Sequence, residues 1–308
     1  MACVTTMIPV GRHRLAATVF GEGAPAVVIE PAFGGNAAAW RSIAERIAGE
    51  TTVVTYDRAP YGPSSPARDS RSPARIVADL EEVLGHLEIT GPLVLVGHSI
   101  GGVYARAFAT RHLSRIAGMV LVDSSHEGQW AVLPALYTPK RKLACALFVP
   151  QIIVSGRRQR GGADRRSMLR EYRAFRGLTA ADLPFGPGGL GRRPLAVLTR
   201  GPEGPFDAGR LWRAWHALQQ ELAGLSENSR HVISGSPRHF LNEADPDLII
   251  AAVTDVIRCV RTGVPLGEPV AVAEPPGGGG LPRVVRPGWV RPGRRERAVA
   301  LEPRDRSE

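Results

Sequence analysis

The sequence predicts an α/β fold: a mostly parallel β-sheet with helices packed on both faces. Two observations carry this. Residues 27–30, 53–56, 93–96 and 119–122 are short, continuously apolar runs with strand character. Strands buried on both faces have this composition, whereas a sheet open to water alternates apolar and polar residues. The stretches between the runs carry a helical period, and strand alternating with helix builds a parallel sheet.

The elements follow in order. The runs at 27–30 and 53–56 each lead into a loop containing Gly or Pro, as strand ends require. Between them Trp40, Ile43, Ala44 and Ile47 recur at helical spacing behind Asn36, a capping candidate. Ser72-Pro73 opens a second helix with Ile76, Leu80, Val83 and Leu87 on one face. The rhythm breaks between Ser124 and Arg193. There Met168, Tyr172 and Phe175 fall on one helical face, Arg165, Arg166, Arg170 and Arg173 spread over the other, and a Gly- and Pro-rich run closes the segment at 185–189. The sheet pattern resumes with a strand at 195–199, a helix at 212–225, a strand-like run at 231–234 and a last helix at 246–260, with Asp245 as its cap and Pro246 in its first turn. Beyond about residue 264 the chain is rich in Pro, Gly and Arg and has no apolar period. Such a segment buries too little surface to offset its ordering entropy and is expected to be disordered. The expected organisation is therefore a core of residues 1–124 and 194–264, a helical cap or lid insertion at 125–193, and a disordered tail at 265–308.

Length and composition bound the function. A chain of 308 residues holds one sizeable core plus an insertion, and its 44% apolar and 22% charged residues are those of a globular protein. No run reaches the roughly 18 uninterrupted apolar residues of a membrane span; the longest candidate, 143–154, contains Pro150 and Gln151. The start lacks the basic-then-apolar order of a secretory signal. Cys3, Cys145 and Cys259 are scattered, with neither metal-ligand spacing nor a pairing pattern, and Cys259 sits in an apolar helical pattern as a buried small hydrophobe. A cytoplasmic protein without a metal site is expected. The net charge of +10 is concentrated: thirteen basic residues lie between Lys140 and Arg193, against Asp164, Glu171 and Asp182. No nucleic-acid-reading motif accompanies this charge, so nucleic acid is not an expected partner. The plain reading is a solvated face of Arg-rich helices, with weak attraction to anionic substrates or an anionic membrane surface as the alternative.

The chemistry centres on Gly97-His98-Ser99-Ile100-Gly101-Gly102, directly after the strand at 93–96 and directly before a helical stretch at 103–109. This is a G-x-S-x-G nucleophile elbow in the strand–turn–helix context the motif requires. The turn forces its serine into a strained backbone, and glycines are needed at 97 and 101 because side chains there would collide with the adjoining strand and helix. The Ser99 hydroxyl is thereby lifted clear of the sheet at a helix N-terminus, where developing negative charge is favoured. A serine hydroxyl needs a base. His239, in Gly235-Ser236-Pro237-Arg238-His239-Phe240 between a late strand and the last helix, is the candidate. His98 is expected to point into the protein, and His126 and His231 are weaker alternatives.

With these residues the chain resembles the α/β-hydrolase superfamily over about residues 10–262. It is similar in particular to bacterial esterase-like members in three segments: Val28-Ile29-Glu30-Pro31-Ala32-Phe33-Gly34-Gly35, Tyr56-Asp57-Arg58-Ala59-Pro60-Tyr61-Gly62 and Val120-Leu121-Val122-Asp123-Ser124-Ser125-His126. The resemblance implies that the first is an oxyanion loop, with Pro31-Ala32 in place of the His-Gly pair of relatives, and that the backbone N–H groups of Phe33 and Ile100 hold the oxyanion. It implies that Asp57 and Arg58 brace the neighbouring loops, with Pro60 where a glycine is usual. The orienting acid of such a site follows the sixth or the seventh strand. Asp123 closes an apolar run and is preferred; Asp207 and Glu203, in a later Gly- and Pro-rich loop, stay open as alternatives. The implied activity is cofactor-free and metal-free hydrolysis of a carboxylic ester or related small acyl substrate, hydrophobic or aromatic, through a Ser99 acyl-enzyme. The same scaffold also supports C–C bond hydrolysis, lyase or cofactor-free haloperoxidase chemistry and silent ligand binding, which stay open. Haloalkane dehalogenation is disfavoured because the elbow presents serine rather than aspartate.

Overall fold

The computed structural model describes residues 4–136, 164–183, 185–202 and 209–267. Among them, eight strands form one sheet: β1 (Val4–Val10), β2 (His13–Phe20), β3 (Ala26–Glu30), β4 (Val53–Tyr56), β5 (Leu93–His98), β6 (Ile116–Val122), β7 (Leu195–Thr199) and β8 (Ser229–Ile233). Their spatial order is β1-β2-β4-β3-β5-β6-β7-β8. β2 runs antiparallel to β1 and β4, and every other neighbouring pair is parallel. The β1–β2 hairpin is the part of the sheet that the apolar runs do not announce. β1 is an edge strand with several exposed residues, so it lacks the continuous apolar run that marks a strand covered on both faces.

The helices are α1 (Arg41–Ile47), entered through a 3₁₀ turn (Ala37–Trp40), α2 (Pro73–His86), α3 (Ile100–Arg111), α4 (Gln129–Leu136), α5 (Arg165–Arg176), α6 (Arg210–Ala223), α7 (Leu241–Ala244) and α8 (Pro246–Thr262). One face of the sheet buries apolar residues of α2, α3 and α6, and the other those of α1 and α8. β5 divides its side chains between the two, Leu93 and Leu95 to the first and Val94 and Val96 to the second. Successive side chains of a strand point to opposite faces, so a two-sided core demands the continuous run seen in the sequence.

Local signals act where expected at two helix starts. The Asn36 side chain accepts from the Ala39 N–H at 3.2 Å and that of Ser72 from the Arg75 N–H at 3.4 Å. Asp245 does not act as the expected side-chain cap: α8 has no side-chain cap hydrogen bond. Its carboxylate instead accepts from Ser234 Oγ at 2.6 Å, tying the start of α8 to the end of β8.

Two expected boundaries shift by a few residues. Residues 188–193, assigned to the insertion, pack on the core, where Gly188 N donates to Gly224 O at 2.9 Å and Leu190 N to Leu225 O at 2.8 Å. Leu266, assigned to the tail, is buried in the cluster formed by α1 and α8, and its N–H donates to Asn228 Oδ1 at 2.9 Å. A single apolar residue in a Pro- and Gly-rich context gives no periodic signal, which is why it was not legible. The rest of the tail from 268, and the apolar run at 143–154 with Cys145, lie outside the described residues. Cys259 is buried in α8. No described helix is long and apolar enough to cross a membrane.

Leu266→Ala is expected to cost about 2–5 kcal/mol of unfolding free energy, the usual cost of emptying a buried leucine site. Denaturant unfolding checks this, and a change within about 0.5 kcal/mol, the surface-substitution range, would mean that Leu266 does not pack.

Candidate active site

Ser99 is the single residue between β5 and α3, at φ 55° and ψ −122°. That left-handed backbone is unfavourable for a residue with a Cβ and has to be held by its surroundings. Three backbone bonds hold it: Ser99 N donates to Val122 O at 3.1 Å, and Ser99 O accepts from Gly102 N at 3.0 Å and from Ser125 N at 2.9 Å. The flanking glycines give the necessary space. A Cβ on Gly101 would collide with the carbonyl of Glu30, and one on Gly97 with the backbone of Gly102. The elbow therefore sits hard against the end of β3, where the Pro31-Ala32-Phe33 loop begins. Among the described residues, no hydrogen bond takes up the backbone N–H of Phe33 or of Ile100.

His239 lies in the loop between β8 and α7, and its Nδ1 is 2.6 Å from Asp123 Oδ2. Its carbonyl accepts from His98 Nε2 at 2.9 Å. His98 is wholly buried, and burial pushes its pKa down to about 3 with the neighbouring His239 adding to the effect. It is thus a neutral donor that fixes the His239 backbone, and its ring packs on Trp40 and Phe240. The other two candidate bases lie elsewhere. His126 accepts from Gly128 N at Nδ1, 2.9 Å, and its Nε2 faces Glu221 at 3.3 Å. His231 meets Thr199 Oγ1 at 2.7 Å and stacks on His216.

Asp123 directly follows β6, at φ 40° and fully buried. Its Oδ1 accepts from Trp215 Nε1 at 2.7 Å and Arg200 N at 3.2 Å, and Oδ2 faces His239 and, at 3.4 Å, Arg200 Nε. Burial works against its ionisation, but the hydrogen bond and charge of His239, the charge of Arg200 and the Trp215 donor outweigh it and hold the carboxyl below its usual range. The alternative acids Asp207 and Glu203 lie outside the described residues.

A second buried polar cluster underlies the loop at 31–33. Arg58 NH1 donates to Glu30 Oε2 at 3.2 Å and Pro31 O at 2.8 Å, and NH2 donates to Ala32 O at 3.1 Å and Glu171 Oε1 at 3.0 Å. Glu171 comes from α5 and also accepts from Tyr61 Oη at 2.8 Å and Tyr104 Oη at 3.1 Å. Glu30 further accepts from Tyr56 Oη. With one guanidinium between two carboxylates, burial raises the Glu30 pKa to about 7 against the pull of Arg58 and Tyr56. Asp57 is likewise raised to about 6 by burial, and accepts from Ala37 N at 2.6 Å. On the same side, Phe33 packs edge-on to Tyr61, 6.2 Å between centroids, and against Tyr172 of α5 at 6.0 Å. Met168 of α5 joins this group.

The structure thus brings Asp123 and His239 together beside the elbow that carries Ser99 and Ile100, and sets the loop bearing Phe33 against that elbow. Sequence reasoning did not single out Trp215, Arg200, Glu30 or Glu171 for the site. A signal existed for Glu171 alone: an isolated carboxylate in an Arg-rich helix, between the apolar positions 168 and 175. Among the described residues no group of three or more His, Cys, Asp or Glu could hold a metal ion.

Residues 25–142 match the family model described as the α/β hydrolase fold. The chain is 26% identical over 236 residues to the uncharacterized protein YqjL of Bacillus subtilis, covering 77% of this chain and 85% of that one. Its fold is similar to that of a thermophilic esterase from Thermogutta terrifontis, with a TM-score of 0.61 and 21% identity over 85% of this chain and 100% of the esterase. It is equally similar to the enol-lactonase from Burkholderia xenovorans, with a TM-score of 0.61 and 20% identity over 83% of this chain and 100% of the lactonase.

Glu30 makes stability depend on pH. Its folded pKa of about 7 exceeds the ordinary 4.5, so the folded chain keeps a proton that the unfolded chain has lost. The resulting stabilisation is complete below the unfolded value and disappears as pH rises through the folded one. The urea midpoint of the wild type should therefore fall more steeply between about pH 5 and about pH 8 than that of Glu30→Gln. Parallel curves would show that Glu30 does not carry the proton.

Proposed function

We propose that this chain, whose residues 25–142 match the family described as the α/β hydrolase fold, is a serine hydrolase of the α/β-hydrolase superfamily that cleaves a carboxylic ester or lactone through a Ser99 acyl-enzyme. The observation that carries this reading is the 2.6 Å pairing of His239 Nδ1 with the buried Asp123 carboxylate, next to a serine held at φ 55° on a nucleophile elbow.

Asp123 accepts the Nδ1 proton of His239, which fixes the imidazole tautomer and leaves Nε2 free to act as base. His239 takes the Ser99 hydroxyl proton as Oγ attacks the substrate carbonyl. The tetrahedral oxyanion is received by the backbone N–H groups of Phe33 and Ile100, the second at the start of α3, where the helix dipole favours negative charge. His239 then protonates the leaving alkoxide, giving the alcohol and the acyl-enzyme. In the second half it deprotonates a water molecule, whose attack releases the acid and restores Ser99. The imidazolium that forms in each half is stabilised by a carboxylate that stays ionised because its oxygens are met by Trp215 and Arg200.

The acyl side of the substrate is a small hydrophobic or aromatic group. Phe33, in the loop set against the elbow, packs with Tyr61, Met168 and Tyr172, and apolar surroundings of this kind are typical of small-molecule sites.

The test is turnover of short p-nitrophenyl esters, together with labelling by a fluorophosphonate. Ser99→Ala should lose both while keeping the wild-type circular dichroism. Asp123→Asn should lower turnover by about 10³- to 10⁴-fold, the size seen when a triad acid is replaced by its amide. Retained turnover in Ser99→Ala would sink the serine-hydrolase reading. Retained turnover in Asp123→Asn would sink only the assignment of the acid.

A further inference from the structure

We infer that Trp215 is a positioning residue of this reaction: its indole N–H fixes the rotation of the Asp123 carboxylate so that Oδ2 is presented to His239. The inference rests on the serine-hydrolase reading above and deepens it.

A carboxylate that pairs with an imidazole through one oxygen is free to turn about its Cβ–Cγ bond unless the other oxygen is also engaged. An ionised carboxylate offers about four lone-pair sites, and a fully buried one has no water to fill those left over. In Asp123 the second oxygen is filled by two donors, Trp215 Nε1 at 2.7 Å and Arg200 N at 3.2 Å. The indole bond is the shorter, and its donor is the more rigid: a planar ring with two side-chain torsions, buried on α6.

The helix behind the indole is itself locked to the same turn. One helical turn beyond Trp215 on α6, Gln219 Nε2 donates to Ser124 O at 2.7 Å. Residues four apart share a helix face, so α6 grips both the side chain of Asp123 and the carbonyl of the next residue. The Trp215 ring therefore arrives at Oδ1 with its orientation set from both ends. A tryptophan N–H is a donor only and does not ionise. It orients the carboxylate without neutralising the charge that the imidazolium needs, a task for which a lysine or a second arginine would be less suited. If Trp215 were only a filler of the cluster with Leu133 and Leu218, its N–H would be dispensable and a benzyl ring would serve.

The experiment compares Trp215→Phe, which keeps an aromatic ring and removes the donor, with Leu218→Ala, which removes packing from the same cluster and leaves Asp123 untouched. With p-nitrophenyl acetate, Trp215→Phe should lower kcat by about 10- to 100-fold, the range for a lost hydrogen bond to a charged group, with KM changed by less than about threefold. Leu218→Ala should lower Tm and leave kcat within about threefold of wild type. In an Asp123→Asn background, adding Trp215→Phe should change kcat by less than about threefold, because residues that act as one unit are not additive.

A kcat within about threefold of wild type for Trp215→Phe, or an undiminished further loss in the Asp123→Asn background, would overturn the inference. Should Trp215→Phe fail to fold by circular dichroism, the same comparisons are made with 3-benzothienylalanine at position 215, in which sulfur replaces the N–H on a ring of the same shape. The parent reading fails separately, through activity retained in Ser99→Ala or Asp123→Asn. A crippled Asp123→Asn beside a wild-type-like donorless variant defeats the role of Trp215 alone.

Discussion

The close approach of the elbow to the end of β3 is the constraint on which the site depends. Only a residue without a Cβ fits at position 101, because the Glu30 carbonyl occupies the space a side chain would need. That contact places Ser99 directly beside the Pro31-Ala32-Phe33 loop, so one steric requirement sets the distance between the serine and the loop opposite it. The strained backbone of Ser99 is held by bonds to Val122 and Ser125, and these two residues bracket Asp123. The turn that presents the serine is therefore hydrogen-bonded to the turn that presents the carboxylate. Of the two strained residues, Ser99 at φ 55° is held by the neighbours of Asp123, and Asp123 at φ 40° by its N–H bond to Leu198 O of β7. Backbone strain persists only where surrounding structure over-determines it, and here the ends of β6 and β7 supply that determination.

Two buried carboxylates within this region behave in opposite ways, and the donors around them account for it. Glu30 shares one guanidinium with Glu171, and burial wins: its pKa rises to about 7. Asp123 is buried as deeply, yet His239, Arg200 and Trp215 supply enough hydrogen bonding and positive charge to lower its pKa. Burial alone favours the neutral acid, and only directed donors reverse it. The consequence is a division of labour. The carboxyl facing His239 is held in its charged form, while the one under the 31–33 loop moves readily to its neutral form.

How much of this was legible in the sequence follows from the range of the interactions. Strands β3 to β7 were, because a two-sided sheet leaves a continuous apolar run in the chain itself. The elbow was, because its glycines and serine lie within six residues and a strand and a helix flank them. The pairing of Asp123 with His239 was legible only in outline, from a strand-end carboxylate and a late-loop histidine. Trp215 left no mark, and Glu171 only the weak one of a lone carboxylate in an Arg-rich helix. They reach their partners across sequence separations of 92 and 113 residues, and nothing in a local period distinguishes a tryptophan that fills a core from one that also donates to a buried acid. The β1–β2 hairpin escaped for a different reason: its outer strand is half solvated and carries no two-sided apolar signature.

Helix α5 raises the question of how an element packed on the core keeps its register. Shape alone would permit small slips, since the apolar side chains it offers, Met168 and Tyr172, make non-directional contacts. Glu171 is directional. It is fully buried and engages Arg58, Tyr61 and Tyr104, and Arg58 in turn grips the carbonyls of Pro31 and Ala32. Displacing α5 would take Glu171 from Arg58, Tyr61 and Tyr104 together, and breaking a buried pair in this way costs about 3–5 kcal/mol. That cost is steep in distance, whereas apolar contact is forgiving. The wall formed by Tyr172 against Phe33 is thus positioned by a charge pair a few ångströms behind it. Any change in α5 that moves Glu171 must be felt at the backbone of the loop facing Ser99.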